Sequence, residues 1–197
     1  RIIANPGCYP TSIQIPLIPL LKNKLIDTKN ITIDSKSGYS GAGKNYRTKF
    51  NFENFYSSTY AYSVKNHRHA AEIEQELKKI SKNISFTFNP HLIPTFRGIL
   101  SSIYIYKRKN STFKNIFKTL KFFYRKDYFI KINKPNTQIG TGSVLKTNNC
   151  QISVCQTRVK NKIVIFSAID NLMKGAAGQA IQNMNILYKF KETCGLK

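Results

Sequence analysis

The sequence lacks any apolar stretch approaching the roughly 20 residues that a membrane-spanning helix needs, because Pro16, Pro19 or polar residues interrupt its longest apolar segments. It also lacks the long apolar segment of a secretory signal peptide, since Arg1 is followed almost at once by a turn rich in proline and glycine. We therefore expect a soluble, cytoplasmic protein with no membrane contact. The chain does not begin with Met, and we expect it to be part of a longer protein.

Acidic residues are scarce: 9 Asp and Glu stand against 32 Lys and Arg, which gives a formal net charge of +23. Such an excess is typical of proteins that bind nucleic acids or anionic membranes. Here the basic residues are spread along the chain without a run of five, and no motif that reads DNA or RNA is present. We therefore expect no specific nucleic-acid partner, but a surface that attracts substrates carrying phosphate or carboxylate groups.

Metal-binding patterns are also missing. The four cysteines, Cys8, Cys150, Cys155 and Cys194, have no paired spacing, and they are too few for a disulfide framework in a chain of 197 residues. The closest histidines have no carboxylate or thiol at a spacing that suits zinc. We expect reduced thiols and no metal site.

No Gly-x-Gly-x-x-Gly follows a strand, so the chain contains no dinucleotide-binding fingerprint. Periodicity predicts helices over 11–26, 70–82, 113–124 and 172–190, strands over 31–35, 84–88 and 99–106, and a hairpin over 150–169 that turns near Lys160 and Asn161. Ser111 is predicted to cap the third helix. The glycine-rich segment 37–43 reads as a mobile loop. This irregular alternation predicts an α+β (α/β) domain with a mixed β-sheet and helices.

Cys8 lies between a proline-glycine turn and the start of the first predicted helix. Backbone N–H groups and the helix dipole at such a position stabilise an anion, which lowers the pKa of a thiol. A buried cysteine that acts only as a small apolar residue is the alternative. The local pattern favours a nucleophile at Cys8, whereas the other three cysteines have no such context. Pro16 and Pro19 are expected to shorten, kink or split the helix and could misalign its first turn.

His67 and His69 form the only histidine cluster in the sequence. A thiolate nucleophile needs a group that handles protons as its adduct forms and collapses. We interpret one of these two histidines as that group, although the spacing does not distinguish them. A solvated loop histidine is the alternative for either one.

Five segments carry a family resemblance, namely 5–11, 36–44, 67–73, 89–100 and 170–180. They contain Asn-Pro-Gly-Cys-Tyr-Pro-Thr, Lys-Ser-Gly-Tyr-Ser-Gly-Ala-Gly-Lys, His-Arg-His-x-x-Glu-Ile, Asn-Pro-His-Leu with Arg-Gly-Ile-Leu, and Asp-Asn-Leu-Met-Lys-Gly-Ala-Ala-Gly-Gln-Ala. Together, and in this order, they resemble the N-acetyl-γ-glutamyl-phosphate reductase family.

The resemblance implies a particular architecture. Members of that family have an N-terminal NADP-binding Rossmann domain, followed by a catalytic domain like that of glyceraldehyde-3-phosphate and aspartate-semialdehyde dehydrogenases. The chain matches only from the nucleophile onward. We therefore expect residues 1–168 to form the catalytic and dimerisation domain, and the helix in 169–197 to pack on an NADP-binding domain outside this chain. The chain is expected to assemble as a homo-oligomer.

The resemblance also implies site residues. Cys8 corresponds to the nucleophile, and His67 and His69 to the active-site histidines. Three residues are expected to bind the substrate: Arg97, Asn5 and Glu72. Arg97 would hold an anion through two hydrogen bonds, with a surface salt bridge as its alternative role. Six residues are expected near the NADP cofactor: Ser37, Gly38, Ser40, Gly41, Asn171 and Gly175.

The implied reaction is the NADPH-dependent reduction of N-acetyl-γ-glutamyl phosphate to N-acetyl-glutamate 5-semialdehyde and phosphate, through a thioester on the cysteine, in arginine biosynthesis. The chain alone is expected to be inactive as a reductase, because hydride transfer needs the cofactor domain. Two alternatives stay open. One is a related acyl-phosphate reductase of the aspartate-semialdehyde or lysine-pathway type, and the other is an inactive basic remnant that serves in oligomerisation or nucleic-acid binding.

Overall fold

A mixed seven-stranded β-sheet runs through the described part of the chain, which comprises residues 2–43, 54 and 57–197 of a computed structural model. The strands are β1 Ile31–Gly38, β2 Tyr60–Ala61, β3 Phe86–Ile93, β4 Ile99–Tyr106, β5 Ile130–Ile132, β6 Cys150–Gln156 and β7 Lys162–Ile169. Their order is β2-β3-β1-β4-β7-β6-β5. The pairs β1–β3 and β5–β6 are parallel and the other pairs antiparallel. The predicted mixed sheet and the hairpin of β6 and β7 are confirmed.

Four α-helices are described: α1 Cys8–Lys22, α2 Arg68–Lys78, α3 Phe113–Phe123 and α4 Gly178–Leu187. Helix α1 packs on β4 and β7 and also contacts α2 and α3, which explains why it is buried on nearly all sides. Alternate residues of the strands, such as Ile31 and Ile33 in β1, join its leucines in one apolar core. None of the described helices is both long and apolar enough to cross a membrane.

Helix α1 is neither short nor split, because it continues from Cys8 to Lys22 through both prolines; these two of the three expected effects of the prolines are wrong. A proline has no N–H, so Pro19 leaves the carbonyl of Ile15 without its helical partner. The Tyr124 hydroxyl donates to that carbonyl at 2.5 Å. The first turn is closed by the bond from Thr11 N–H to the Gly7 carbonyl at 3.0 Å. Pro16 therefore leaves the turn at Cys8 intact.

Three buried serines join the first turn of α1 to the sheet. Ser12 Oγ donates to the Tyr9 carbonyl at 2.9 Å and lies 2.7 Å from Ser101 Oγ on β4. Ser101 Oγ lies 2.8 Å from Ser35 Oγ on β1. Because each hydroxyl has one proton, the hydrogen bonds run from Ser35 through Ser101 and Ser12 to the carbonyl, and all three of these hydroxyls are satisfied.

Several predicted boundaries differ from the structure. Helix α2 begins and ends earlier than expected, at Arg68 and Lys78. Thr112, not Ser111, caps α3, since its hydroxyl accepts from Asn115 N–H at 3.1 Å. Residues 37 and 38 end β1, and Tyr39–Ala42 form one turn of 3-10 helix. Lys44, the last residue of segment 36–44, lies outside the described residues.

The prediction of a single helix over 172–190 is wrong. Met173–Ala177 form a wide π-type turn with a non-helical backbone at Ala176, and α4 follows it. Gly175 N–H bonds to the carbonyl of Asp170, and Ala177 N–H to that of Leu172, each five residues back. Glycine has a low helix propensity, and Gly175 is packed directly against Cys8. The close approach to Cys8 therefore takes precedence over regular helix geometry.

Candidate active site

Cys8 is the first residue of α1 and opens into a cleft of about 250 Å³. Tyr9, the next residue of α1, also lines the cleft, and two further segments supply the other lining residues: Gly41, Ala42, Tyr62, Ser63, Asn66, His67, Arg68 and His69. The structure thus brings together the nucleophile and both histidines predicted from the sequence.

The pKa of the Cys8 thiol is raised to about 11. Burial is the main cause, because the surrounding protein disfavours the thiolate. The backbone N–H groups of Tyr9 and Cys8 and the charge of Arg68 act in the opposite direction but do not compensate. The prediction that the helix start lowers this pKa below its ordinary value is therefore wrong in direction. In the resting protein Cys8 is a neutral thiol.

His67 is held at both ring nitrogens. Its Nδ1 accepts from His69 N–H at 3.1 Å, which caps α2, and its Nε2 lies 3.3 Å from the Tyr62 hydroxyl. Tyr62 Oη donates to Tyr9 Oη at 3.3 Å, and Tyr9 Oη donates to the His91 carbonyl at 3.2 Å. Each hydroxyl has one proton, so this pattern assigns the proton of neutral His67 to Nε2. His67 is therefore fixed in orientation and tautomer.

His69 lies beside the nucleophile loop. It is 8% exposed, and a Cβ atom on Gly7 would lie only 2.6 Å from its Nε2, so only glycine fits before Cys8. The pKa of His69 is lowered to about 4, mainly by burial and also by nearby His67 and Arg68. Its Nδ1 is buried without a hydrogen-bond partner. Among the described residues, neither imidazole hydrogen-bonds to Cys8 Sγ.

Glu72 and Asn5, both predicted to bind substrate, contact the protein itself. Glu72 Oε1 accepts from Gly7 N–H at 2.9 Å. Asn5 Oδ1 accepts from Asn183 Nδ2 of α4 at 3.0 Å. Neither residue lines the cleft. Both hold the segment that leads into Cys8, and direct contact with a substrate remains a prediction.

Arg97 pairs with Asp170, which is completely buried. Its Nη2 donates to Oδ1 at 2.8 Å and lies 2.7 Å from Oδ2. The carboxylate also accepts from the backbone N–H groups of Lys146, Leu172 and Met173. The ion pair is thus largely internal, unlike a surface salt bridge. Arg97 does not line the cleft. Its contact with a substrate anion would have to use the guanidinium N–H groups that do not bind Asp170, and this contact remains a prediction.

Of the six residues predicted to lie near the cofactor, Gly41 lines the cleft and Gly175 packs against Cys8. Asn171 joins the loop of Ser40 to Gly98, which precedes β4. Its Nδ2 donates to Ser40 Oγ at 3.0 Å, and its Oδ1 accepts from Gly98 N–H at 2.6 Å. A Cβ on Gly175 would lie 2.6 Å from Cys8 Cβ, and one on Gly41 would lie 2.6 Å from Ser37 Oγ. Close packing against Cys8 therefore requires glycine at position 175, whereas a side chain at Gly41 would displace the Ser37 hydroxyl. A Cβ on the remaining residue of the set, Gly38, would meet the backbone of Arg97.

A family model described as "Semialdehyde dehydrogenase, dimerisation domain" matches residues 8–171. The chain belongs to this family. The match begins at Cys8, in the cleft, and ends at Asn171, whose side chain donates to Ser40 Oγ.

Relatives of this semialdehyde dehydrogenase domain carry a more specific name. Proteins named N-acetyl-gamma-glutamyl-phosphate reductase from Thermoanaerobacter sp. (strain X514) and Staphylococcus aureus (strain MRSA252) are 44% and 41% identical to it over 197 and 198 residues. A probable chloroplastic enzyme of that name from Arabidopsis thaliana is 42% identical over 197 residues. Each alignment covers 100% of this chain but 57%, 58% and 49% of the respective relative. The resemblance found in the sequence is confirmed, and the chain spans about half the length of these relatives.

Solved structures share the fold. Aspartate semialdehyde dehydrogenase II from Vibrio cholerae, complexed with ASA, superposes with a TM-score of 0.71 at 17% identity, over 95% of this chain and 62% of that one. A probable aspartate-semialdehyde dehydrogenase from Pseudomonas aeruginosa gives a TM-score of 0.73 at 15% identity, over 93% and 61%. The predicted likeness to the catalytic domain of this dehydrogenase class is confirmed at the level of fold.

Three residues at or near the site of this semialdehyde dehydrogenase domain were not predicted from the sequence. Asp170 is the partner of Arg97, Tyr62 fixes His67, and Arg68 lines the cleft beside Cys8. Arg68 and Asp170 had a local signal, because Arg68 stands between the two histidines and Asp170 begins the segment 170–180 that carries the resemblance. No three His, Cys, Asp or Glu side chains form a metal site within residues 2–43, 54 and 57–197.

The raised thiol pKa predicts the pH dependence of Cys8 alkylation in the isolated chain. At pH 7 a thiol with a pKa of about 11 is thiolate to about one part in 10⁴, against about one part in 100 for the ordinary value of 9.0. Because the thiolate is the reactive form, the rate with iodoacetamide should rise about tenfold per pH unit between pH 7 and 9.5. His69, with a pKa of about 4, should add no step near neutral pH.

Peptide mapping by mass spectrometry measures this rate separately for Cys8 and for the exposed Cys194, which serves as the internal control. A Cys8 rate that levels off below pH 9 would show a thiolate stabilised at the helix start and would contradict this assignment.

Proposed function

We propose that this chain is the catalytic part of a cytoplasmic, NADP-dependent N-acetyl-γ-glutamyl-phosphate reductase of arginine biosynthesis. The observation that carries the proposal is the cleft in which Cys8 faces His67, Arg68 and His69, in a chain whose relatives bear that name over its whole length. Cys8 is the nucleophile, and the substrate is an acyl phosphate.

Acyl transfer to Cys8 uses groups of this chain alone. Cys8 Sγ attacks the γ-acyl carbon of N-acetyl-γ-glutamyl phosphate, the bond from that carbon to the phosphate oxygen breaks, and a thioester forms on Cys8. The thiol proton leaves with the inorganic phosphate. Since the pKa of Cys8 is raised to about 11, the proton must move as the new bond forms, because little thiolate exists beforehand. The step therefore requires general-base help.

His69 is the better candidate for that proton transfer, since His67 is occupied at both ring nitrogens. The His69 ring lies against Gly7, next to the nucleophile, and is neutral because burial lowers its pKa to about 4. A neutral imidazole can accept the thiol proton and pass it to the departing phosphate; after taking a second proton from solvent, it can supply the proton with which the thiol forms again when the aldehyde leaves. His67 acts as a positioning residue, since its Nδ1 caps α2 and thereby fixes the backbone of His69.

The residues around Cys8 fit the nicotinamide end of NADP. Gly41 and Ala42 line the cleft beside Cys8 and leave that wall without bulky side chains, and Ser37, Gly38, Ser40, Asn171 and Gly175 build the loop and turn behind it. When bound, NADPH supplies the hydride that reduces the thioester. The chain itself has no fingerprint for the rest of the dinucleotide, so we propose that a separate NADP-binding domain holds it.

An apolar surface on α4 supports such a domain arrangement. A groove of about 220 Å³ runs between this helix and the N-terminal segment, and it is lined by Ile3, Asn5, Ala180, Asn183, Met184, Leu187 and Tyr188. Met184 and Tyr188 are 44% and 65% exposed. Contiguous apolar surface of this kind marks an interaction site. We propose that residues 169–197 carry the interface with the NADP-binding domain, while residues 1–168 form the catalytic and dimerisation part.

The sheet face away from α1 supports homo-oligomer formation. Leu100, Tyr104 and Phe166 alternate along β4 and β7 with the residues of the core and are only half-buried. The family model carries the word dimerisation in its description. We propose that two copies pair through this face, and we propose no nucleic-acid or membrane partner.

The test uses the polypeptide in which this chain follows an NADP-binding domain, here called the complete enzyme. NADPH oxidation is measured with N-acetyl-γ-glutamyl phosphate, β-aspartyl phosphate and the longer N-acetyl-α-aminoadipoyl phosphate. We expect kcat/KM for the first to exceed the others by about 100-fold, the scale on which a site rejects a substrate of the wrong length. The isolated chain should not oxidise NADPH.

A preference for either other acyl phosphate would replace the proposal with the related reductase. A folded complete enzyme that reduces none of the three would point to the inactive remnant, and turnover by the isolated chain would refute the need for a separate cofactor domain.

A further inference from the structure

Arg68 is a cation in the cleft that has no carboxylate to neutralise it among the described residues. It is the first residue of α2, is exposed, and lines the cleft together with Cys8 and His69. Glu72 lies one helical turn further, the usual position for an ion-pair partner. Its Oε1 instead accepts from Gly7 N–H at 2.9 Å. The charge of Arg68 therefore remains available to a ligand.

The charge of the other arginine considered for this role is already neutralised. Arg97 forms its ion pair with the buried Asp170 and lies outside the cleft lining. His69 adds a second open polar group to the cleft, because its Nδ1 is buried and has no hydrogen-bond partner. The cleft next to the nucleophile therefore combines an unpaired guanidinium with an unused imidazole nitrogen.

We infer that Arg68 binds the phosphoryl group of the acyl phosphate and holds it beside Cys8. A guanidinium matches the oxygens of phosphate through parallel hydrogen bonds and keeps its charge at every working pH. Placed here it orients the leaving group while Sγ attacks the acyl carbon. The inference rests on the proposed function for the identity of the ligand, but the presence of an oxyanion site at Arg68 can be tested without that reaction.

The electrostatic influence of Arg68 reaches both reacting groups. Its charge lowers the pKa of the Cys8 thiol, although burial outweighs it, and it also lowers the pKa of His69. A bound phosphoryl group would reverse both effects by adding negative charge. It would raise the pKa of His69 and so make this histidine a stronger base when the substrate is present.

The test compares how iodoacetate, an anion, and neutral iodoacetamide alkylate Cys8 in the isolated chain at low ionic strength. The ratio of the two rate constants cancels the thiolate fraction, so it reports only the attraction of the anion. Arg68→Gln should lower the ratio about fivefold, which corresponds to losing one charge close to the thiol. Lys65→Gln is the matched control, because Lys65 is exposed in the same loop but lines a different cavity, and it should leave the ratio within about twofold.

A second arm identifies the oxyanion. Inorganic phosphate at millimolar concentration should slow the iodoacetamide reaction saturably in the wild-type chain and in Lys65→Gln, but not in Arg68→Gln. N-acetylglutamate, which offers only carboxylates, should protect less. Arg68→Lys should keep the rate ratio and lose most of the phosphate protection, since lysine retains the charge without the fork of donors.

An unchanged ratio in Arg68→Gln, or an equal fall in Lys65→Gln, would overturn the inference, because the anion would then sense only the general charge of the chain. Equal protection by phosphate in wild type and Arg68→Gln would overturn it as well. Better protection by N-acetylglutamate would reassign Arg68 to the carboxylate of the substrate and so overturn the phosphoryl assignment. If Arg68 passes these tests while the complete enzyme reduces none of the acyl phosphates, the proposed function fails and the oxyanion site stands.

Discussion

The Cys8→Ser variant of the complete enzyme is expected to lose at least about 10³-fold in kcat. The serine hydroxyl is nearly the size of the thiol, so the first turn of α1 and its bond from Thr11 N–H to the Gly7 carbonyl stay in place. A hydroxyl is a far weaker nucleophile than a thiolate, and the neutral His69 beside it is too weak a base to compensate. Substrate binding should be much less affected, because Arg68 and the cleft walls do not change.

Steady-state NADPH oxidation measures this loss, and thermal unfolding of the same variant shows whether the fold is preserved. Cys194→Ser is the matched control, since Cys194 is an exposed thiol outside the cleft; it should keep the wild-type kcat. A Cys8→Ser enzyme with more than a tenth of the wild-type kcat would show that the thiol is not the attacking group.

The Asp170→Ala variant is expected to lose about 3–5 kcal/mol of unfolding free energy, the cost of removing one partner of a buried ion pair. Asp170 is completely buried, and its carboxylate accepts from Arg97 and from the backbone N–H groups of Lys146, Leu172 and Met173. Without it the guanidinium is left uncompensated. The three N–H groups also lose their acceptor, so the turn that carries Gly175 against Cys8 should loosen.

Urea unfolding of the isolated chain measures the loss. Asp127→Ala is the control, because Asp127 is exposed and its removal should change stability by no more than about 0.5 kcal/mol. Should Asp170→Ala fail to fold, Asp170→Asn keeps an acceptor of the same shape and should show a smaller loss. The double variant Asp170→Ala/Arg97→Ala should regain part of the lost unfolding free energy, since the uncompensated charge is gone. A loss below about 1 kcal/mol in Asp170→Ala would contradict the structural role given to the pair.

The sequence predicted the grouping of Cys8, His67 and His69 but not their protonation. The start of a helix at Cys8 is a local feature and could be read from the turn before it. The burial that raises the pKa of the thiol comes from the packing of other segments around it, and no local pattern reports it. Likewise, the role of His67 depends on Tyr62 and Tyr9, whose contacts exist only in the folded chain.

Two predicted substrate-binding residues instead bind protein groups that are far away in the sequence. Glu72 accepts from Gly7, which is 65 residues away, and Arg97 pairs with Asp170, which is 73 residues away. Motif resemblance located these side chains near the site but could not tell a ligand contact from a contact within the protein. The C-terminal segment shows the same limit, because its helical spacing was visible while the approach of Gly175 to Cys8, which widens the turn, was not.

Intact-mass and peptide analysis shows whether an acyl phosphate acylates Cys8. The isolated chain is incubated with N-acetyl-γ-glutamyl phosphate without NADPH and then quenched in acid. We expect one N-acetylglutamyl group on Cys8, held as a thioester that neutral hydroxylamine removes, and no such adduct in Cys8→Ser. Adducts found only on lysines and resistant to hydroxylamine, or a hydroxylamine-sensitive adduct of equal amount in Cys8→Ser, would contradict this expectation.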